Sequence, residues 1–241
     1  MRSFIKAAVA GLFLSASPAV AGELTTKVYG ATLEAGTTEI ETRIGRMTGG
    51  EASGQTGLLF EFAHHFSDRF YAGVETAFGR APHGKLELEA VALESIVTLG
   101  RIKPLGIDVA VLGELESVRR GPDVIAAKLL LEKRVGAFDA RFNLAAEKPH
   151  GQPVALGYAA SADVEVADEL RLGAVALGEL GTFRNFTTRG GHFAGPVVKY
   201  EFEKVAGGEF GIETGYLFAL GQARHETDGQ IRLLLEFERH F

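Results

Sequence analysis

The chain has no cysteine and no tryptophan, and only two methionines among its 241 residues. Without cysteine it can form neither disulfides nor the lipid-modified cysteine of a lipoprotein anchor. Acidic residues (31) outnumber lysine and arginine (25), which gives a formal charge of −6, so the basic surface that nucleic-acid binding requires is missing. Beyond the N-terminus, no apolar run reaches the roughly 20 residues that a membrane-spanning helix needs.

Catalytic and cofactor motifs are missing as well. Glycine-rich phosphate loops of the Walker or Rossmann type are absent, and no serine lies in a G-x-S-x-G motif. The histidines at 83, 150, 192 and 225 are expected on loops at one end of the fold, without the HxH or HxxxH spacing of a metal site. We therefore predict no enzymatic activity, no cofactor and no metal.

The first residues have the pattern of a secretory signal peptide. Arg2 and Lys6 form a positively charged start, Ala7–Leu14 is a short apolar region, and Ala19-Val20-Ala21 is a small-x-small cleavage site. The alternative is a membrane anchor, but the apolar run is too short for one. We predict a cleaved signal peptide over 1–21, so the chain is exported and is periplasmic, secreted or a barrel of the outer membrane.

The last stretch, Gly229–Phe241, shows the pattern on which the rest of the chain is built. Alternate residues from Ile231 to Phe241 are mostly apolar, and those between them are mostly charged, which predicts a β-strand. The chain repeats this pattern without a second layer to cover the apolar faces. A closed barrel in a membrane needs none, because lipid covers those faces.

Twelve such runs are separated by turn residues at the spacing of an all-β barrel or sandwich. The runs are Thr37–Met47, Thr56–Phe66, Phe70–Gly79, Lys85–Leu99, Ile107–Val118, Val124–Val135, Phe138–Glu147, Val154–Val166, Leu170–Phe183, His192–Glu203, Glu209–Leu220 and Gly229–Phe241. Compact connections alternate strictly with longer ones rich in Gly, Pro, His and Arg. This alternation predicts an antiparallel up-and-down transmembrane β-barrel of about 12 strands, with short periplasmic turns and long external loops.

The faces opposite the apolar ones carry many charged residues, which alternation directs into the barrel. This predicted lumen set comprises Glu61, Glu75, Glu114, Glu116, Lys128, Glu132, Asp139, Arg141, Glu147, Asp163, Glu165, Lys199, Glu201, Glu213, Arg232, Glu236 and Glu238. A ring of carboxylates would make a water-filled pore mildly cation-selective. The same residues could instead form an ion-pair network that fills and closes a narrow barrel, and the sequence favours neither reading.

Two runs depart from strict alternation. Glu87 and Glu89 share one register while Glu94 falls in the other, and Phe193 disagrees with Tyr200 and Phe202. We predict a β-bulge in each run, the second at Pro196, because proline cannot donate to the hydrogen-bond ladder. The phenylalanines near the strand ends, Phe193 among those of the external side, are expected to form aromatic girdles at the membrane interfaces.

Several segments resemble a known family. They are LEAGTTEIETRIG, FEFAHHFSDRFYAGVE, HFAGPVVKYEF and the Phe-terminated last strand. Together they resemble the porin-like outer-membrane barrels grouped as a putative MetA-pathway-of-phenol-degradation family, which implies outer-membrane transport and transfers no catalytic residues. The last strand also resembles the C-terminal signature of outer-membrane barrels, which implies that Phe237 and Phe241 are a signal for the barrel assembly machinery.

The sequence thus predicts three regions: a signal peptide (1–21), a periplasmic lead-in (22–36) and an outer-membrane β-barrel (37–241). The predicted function is a porin-like channel or facilitator for small solutes in the cell outer membrane. The alternatives are a closed barrel with a structural, adhesive or assembly role, then a soluble periplasmic β-protein and an outer-membrane hydrolase. Expected partners are outer-membrane lipid and lipopolysaccharide, whose phosphates Arg119, Arg120, Arg184 and Arg189 could bind. The same arginines could instead be ordinary solvated loop charges, which is the reading the sequence slightly favours.

Overall fold

Alternation of apolar and polar residues produces one continuous sheet in the computed structural model, which describes residues 22 and 24–241. The predicted signal peptide lies outside the described residues. The strands are β1 (Thr37–Thr48), β2 (Thr56–Ser67), β3 (Phe70–Arg80), β4 (Glu87–Ile102), β5 (Ile107–Val118), β6 (Val124–Val135), β7 (Phe138–Pro149), β8 (Ala155–Ala167), β9 (Leu170–Thr182), β10 (Gly191–Val205), β11 (Gly208–Gly221) and β12 (Gly229–His240). A short 3₁₀ turn, Gln222–His225, precedes β12.

Each strand pairs antiparallel with the next, and β1 pairs with β12 to close the barrel. The closing register runs from Thr37 opposite His240 to Thr48 opposite Gly229. The predicted twelve-stranded antiparallel barrel is therefore confirmed. Closure leaves no sheet edge unpaired, as a barrel in lipid requires.

The two ends of the barrel differ in the length of their connections. One end has turns of two to four residues and the other has loops of five to eight, in strict alternation along the chain. Strand β1 begins and strand β12 ends at the short-turn end, where the Phe241 N–H donates to the Gly36 carbonyl at 3.1 Å. Among the described residues, no helix has the length and hydrophobicity that a membrane crossing requires.

Outer and inner faces separate as the alternation predicts. Ile40, Phe62 and Leu93 are more than half exposed on the outside, whereas Glu41, Glu61 and Glu94 are buried on the inside. Every strand carries at least one exposed large apolar side chain, so the apolar outer surface extends around the barrel, unlike the small patches typical of a soluble monomer. Such a surface is suited to lipid, and the charged inner face is suited to a polar lumen.

The predicted bulge before Glu94 is confirmed. Ala77 pairs with Ala90 and Phe78 with Leu88, which leaves Glu89 as an extra residue on β4. The extra residue shifts the alternation by one, so that Glu94 points inward.

The predicted bulge at Pro196 is wrong. Pro196 pairs with Ala174 on β9 without interruption, and on β11 the register is the same before and after it. A strand residue directs its N–H toward only one neighbouring strand, so the proline costs hydrogen bonds to β11 but shifts nothing. Phe193 departs from the pattern because it points into the barrel and packs with Val197, so it does not belong to the external aromatic girdle.

Candidate functional site: the lumen and its N-terminal plug

The segment predicted as a periplasmic lead-in runs inside the barrel. It enters beside β1 and β12 at Gly36, at the short-turn end, and extends up the lumen to Leu24, whose carbonyl lies against Gly45 of β1. Leu24, Tyr29 and Ala31 are all buried by the barrel wall. We call residues 24–36 the N-terminal plug. Nothing in its sequence alternates, and within the described chain it forms no ladder with any strand.

Side chains of the wall take the place of strand partners for the plug backbone. A single oxygen of Glu132, Oε2, accepts the N–H groups of Ala31 at 2.8 Å and Thr32 at 3.0 Å, and the Thr32 hydroxyl at 2.9 Å. Asn143 accepts the Tyr29 N–H at 2.7 Å and donates to the Tyr29 carbonyl at 3.0 Å. Buried backbone groups need such partners, so Glu132 and Asn143 fix the height and orientation of the plug.

Tyr29 places its side chain among charges of both signs. Its hydroxyl donates to Glu94 at 2.9 Å and lies 3.3 Å from Glu75. The Arg43 guanidinium and the Lys128 ammonium lie 5.6 and 5.1 Å from the ring centroid, within the range of cation–π attraction. The aromatic ring is thus held by cations at its faces and by carboxylates at its hydroxyl.

An ion-pair network surrounds this contact. Arg43 pairs with Glu41, Glu61 and, at 2.9 Å, Glu75. From the plug, Lys27 reaches Glu41 at 2.7 Å. Burial by itself would lower the pKa of Lys27, but the neighbouring carboxylates, Glu41 foremost, hold it well above its ordinary value. The plug therefore contributes a fixed positive charge to an acidic part of the lumen.

Apolar contacts also hold the plug against the barrel wall. On one side Tyr29 and Ala31 pack with inward residues of β2 to β6, including Ile96, Leu112 and Leu130. On the other side Val28 packs with inward residues of β8 to β11; these are Ala159, Val175, Leu177, Val197 and Leu217, with Phe193 at their edge. The plug therefore contacts opposite sides of the barrel wall.

A second ion-pair network lines the wall of β8 to β12, toward the short-turn end. Asp163 pairs with Arg171 at 2.5 Å and with Lys199 at 2.7 Å. Glu213 lies 3.7 Å from Lys199 and 3.1 Å from Arg232. Part of this wall lies away from the plug, and a cavity of about 600 Å³ lies between the two.

The charge of this cavity is unbalanced. Its lining includes seven carboxylate side chains and five lysine or arginine side chains. The carboxylates are Glu34, Glu39, Asp68, Glu201, Glu213, Glu236 and Glu238, and the cations are Lys27, Arg134, Arg141, Lys199 and Arg232. Carboxylate side chains thus outnumber lysine and arginine side chains in the lining.

The structure places the predicted lumen set on inward-facing positions of the strands. Glu165, with 49% of its side chain exposed, lies at the rim and pairs with Arg171. Glu114 and Lys128 form a pair at 3.0 Å. The two networks and the cavity together bring most of the set into contact.

Sequence reasoning missed several residues of the site. Glu39 and Glu41 share the inward register of Arg43 and could have been found by extending the alternation along β1. Asn143 shares the inward register of Asp139 and Arg141, but the sequence gives it no role, because its partner is the backbone of Tyr29. Tyr29 and Lys27 lie in a segment without alternating apolar and polar residues, so the sequence pattern does not point to them.

The acidic residues also form groups compact enough to suggest a metal site. Carboxylate oxygens of Glu61, Glu75 and Glu94 lie within 4.8 Å of one another. Arg43, Tyr29 and Tyr71 already donate to these oxygens. The positive charge that such a group requires is supplied by Arg43, so the group serves to hold the plug.

Comparison with solved structures shows barrels of the same fold. The crystal structure of an outer-membrane channel from Pseudomonas putida F1 has a TM-score of 0.60 at 11% identity, covering 91% of this chain and 98% of that one. KdgM porin has a TM-score of 0.54 at 12% identity, covering 84% and 99%. NanC porin has a TM-score of 0.55 at 7% identity, covering 84% and 99%.

Sequence comparison adds nothing to this likeness. No known family profile matches the chain, and no curated protein matches its sequence. At these identities the solved structures establish the fold, and function has to be argued from the lumen itself.

Proposed function

We propose that the protein is a porin-like channel for small solutes in the outer membrane, and that the N-terminal plug closes its lumen at rest. The observation that carries this proposal is that the plug joins no strand-to-strand ladder: apart from the backbone bonds of Gly36 at its base, it is held mainly by side chains of the wall. Every strand-to-strand ladder is complete without it, so the plug can move while the barrel stays intact. A barrel of twelve strands is intermediate in width between eight-stranded barrels, whose interior is filled by side chains, and sixteen-stranded barrels, which enclose a wide aqueous channel.

The preferred solute follows from the charge of the cavity. Its excess of carboxylates favours small cations or neutral solutes over anions. One neighbour, KdgM porin, has been solved in complex with oligogalacturonate, which is a polyanion. The acidic cavity of this chain argues against a substrate of that kind.

The alternative function is a permanently closed barrel with a structural role. The number of contacts that hold the plug favours this alternative. Planar-bilayer recording of the refolded mature chain separates the two: stepwise currents with cation preference support the channel, and silence in both the native and the plug-free barrel supports the structural role.

Export and assembly complete the proposal. The predicted signal peptide would deliver the chain to the periplasm, and the last strand would engage the barrel assembly machinery. Phe241 is 75% exposed at the short-turn end, where it is accessible, and Phe237 faces outward on β12. We further propose an outer-membrane location and no enzymatic role, and membership of the MetA-pathway family on the resemblance of the sequence segments alone.

A further inference from the structure

Two arginines lie in one row on the outer face of the barrel. Thr56 of β2 pairs with Arg46 of β1 on one side and with Arg80 of β3 on the other. All three side chains point outward, since their neighbours Gly45 and Gly79 lie on the buried inner face. With strands about 4.8 Å apart, the two arginine Cα atoms are about 10 Å apart, so both guanidinium groups can reach one small anion.

Neither arginine is neutralised by the protein. Across the described chain, no carboxylate lies within ion-pair distance of Arg46 or Arg80. Arg80 uses Nη2 to donate to the Gly54 carbonyl at 3.2 Å and to Thr56 Oγ1 at 2.9 Å, which fixes the orientation of its guanidinium group. Its Nε is buried and has no hydrogen-bond partner in the protein. Two like charges held side by side create a site for an anion.

The surface below the arginines is apolar. The next outward row toward the short-turn end contains Ile44, Leu58 and Phe78. Phe78 makes an edge-to-face contact with Phe60 of the following row, with ring centroids 6.2 Å apart. The arginines thus mark the boundary between the apolar band of the barrel and its long loops, where the headgroups of the outer leaflet would lie.

We propose that Arg46 and Arg80 bind a phosphate group of a phosphorylated glycolipid of the outer leaflet, whose acyl chains lie along Phe60 and Phe78. Arginine binds phosphate through paired, charge-assisted hydrogen bonds. The apolar rows below select a lipid over free phosphate. This inference rests on the membrane location in the proposed function, but it does not require transport.

The test measures retention of lipid by the detergent-solubilised barrel, using native mass spectrometry. The probes are lipid A, its dephosphorylated form and inorganic phosphate, each offered to the wild type and to the Arg46→Gln, Arg80→Gln double variant. The wild type is expected to retain lipid A at least about tenfold better than the dephosphorylated form, and the double variant to lose this preference. Heat-dependent gel mobility checks that each protein is a folded barrel.

A matched control is the Arg101→Gln, Lys103→Gln variant, which removes two charges at the short-turn end, opposite the end that carries Arg46 and Arg80. Arg101 lies 3.9 Å from Asp108, and this variant is expected to retain lipid A as the wild type does. The proposed site would be overturned if the Arg46→Gln, Arg80→Gln variant retained lipid A as well as the wild type does. It would also be overturned if the control variant lost lipid A to the same extent as the Arg46→Gln, Arg80→Gln variant. Displacement of lipid A by millimolar inorganic phosphate would show a free-phosphate site instead and would equally overturn the proposal. A barrel that conducts no current but retains lipid A contradicts transport alone.

Discussion

Glu132 on β6 accepts the N–H of Ala31 from the plug at 2.8 Å, and Ala31 itself is completely buried. The carboxylate thereby supplies a partner that a neighbouring strand would otherwise have to supply. Because the same oxygen also binds Thr32, one side chain holds two consecutive residues of the plug. The predictions below depend on this mode of attachment.

The first prediction concerns Glu132→Gln, which keeps the shape of the side chain and removes its charge. Hydrogen bonds to a charged group contribute about 1.5–3 kcal/mol, so the open probability of the channel should rise about 10- to 100-fold. Single-channel recording measures it. Glu165→Gln is the control, since Glu165 lies at the rim away from the plug, and a similar rise there would show a general charge effect.

A second prediction concerns close packing at the upper end of the plug. A β-carbon at Gly45 would collide with the Leu24 carbonyl, so Gly45→Ala should displace this end and increase the conductance. Gly211→Ala is a matched change on the same inner face, where the nearest atom to a new β-carbon is 3.8 Å away, and it should leave the current unchanged. Equal currents in the two variants would show that the plug does not pass next to Gly45.

Stability should depend strongly on Arg43. Replacing it with methionine leaves Glu41, Glu61 and Glu75 without their shared cation, and loss of one partner of a buried ion pair costs about 3–5 kcal/mol. The denaturant midpoint of the folded barrel, followed by gel mobility, should fall accordingly. Arg120→Met removes a cation whose side chain is 73% exposed and whose partner Glu87 is 46% exposed, and it should cost less than about 1 kcal/mol. Comparable losses in both variants would argue against a buried network.

Most of the barrel could be predicted because its physical signal is local. A strand with one apolar and one charged face shows this in every second residue, and the bounds of β5 and β6 match the prediction to the residue. Glu94 required a bulge to explain it, whereas Pro196 had the expected signature of a bulge without forming one. A proline in the sequence shows only that one backbone N–H donor is missing. Whether the register shifts depends on how the partner strand pairs around it.

The plug could not be predicted for the opposite reason. Its contacts are made by single side chains of distant strands, such as Asn143 and Tyr29, which lie 114 positions apart. A segment without periodic alternation gives no sequence signal that identifies its binding site. The lumen charges could therefore be placed from the sequence, but not the peptide that they hold.

The ion selectivity of the open channel should follow the cavity. Glu201 and Glu238 line it, and in the described chain neither forms an ion pair, so converting both to glutamine weakens the field without breaking the network. Reversal potentials in a salt gradient should show cation preference in the wild type and shift toward zero in this variant. Glu51→Gln with Glu226→Gln, in the long loops, should shift less. Anion preference in the wild type would refute the assignment.

The central claim is that the N-terminal plug closes an otherwise open barrel, and deletion of residues 24–34 tests it most directly. The measurement is single-channel conductance of the wild-type and deleted chains, in preparations that both show the heat-dependent gel shift of a folded barrel. The account predicts a low or intermittent current in the wild type and a larger, steady current after deletion. Identical conductance in the two folded proteins would contradict it.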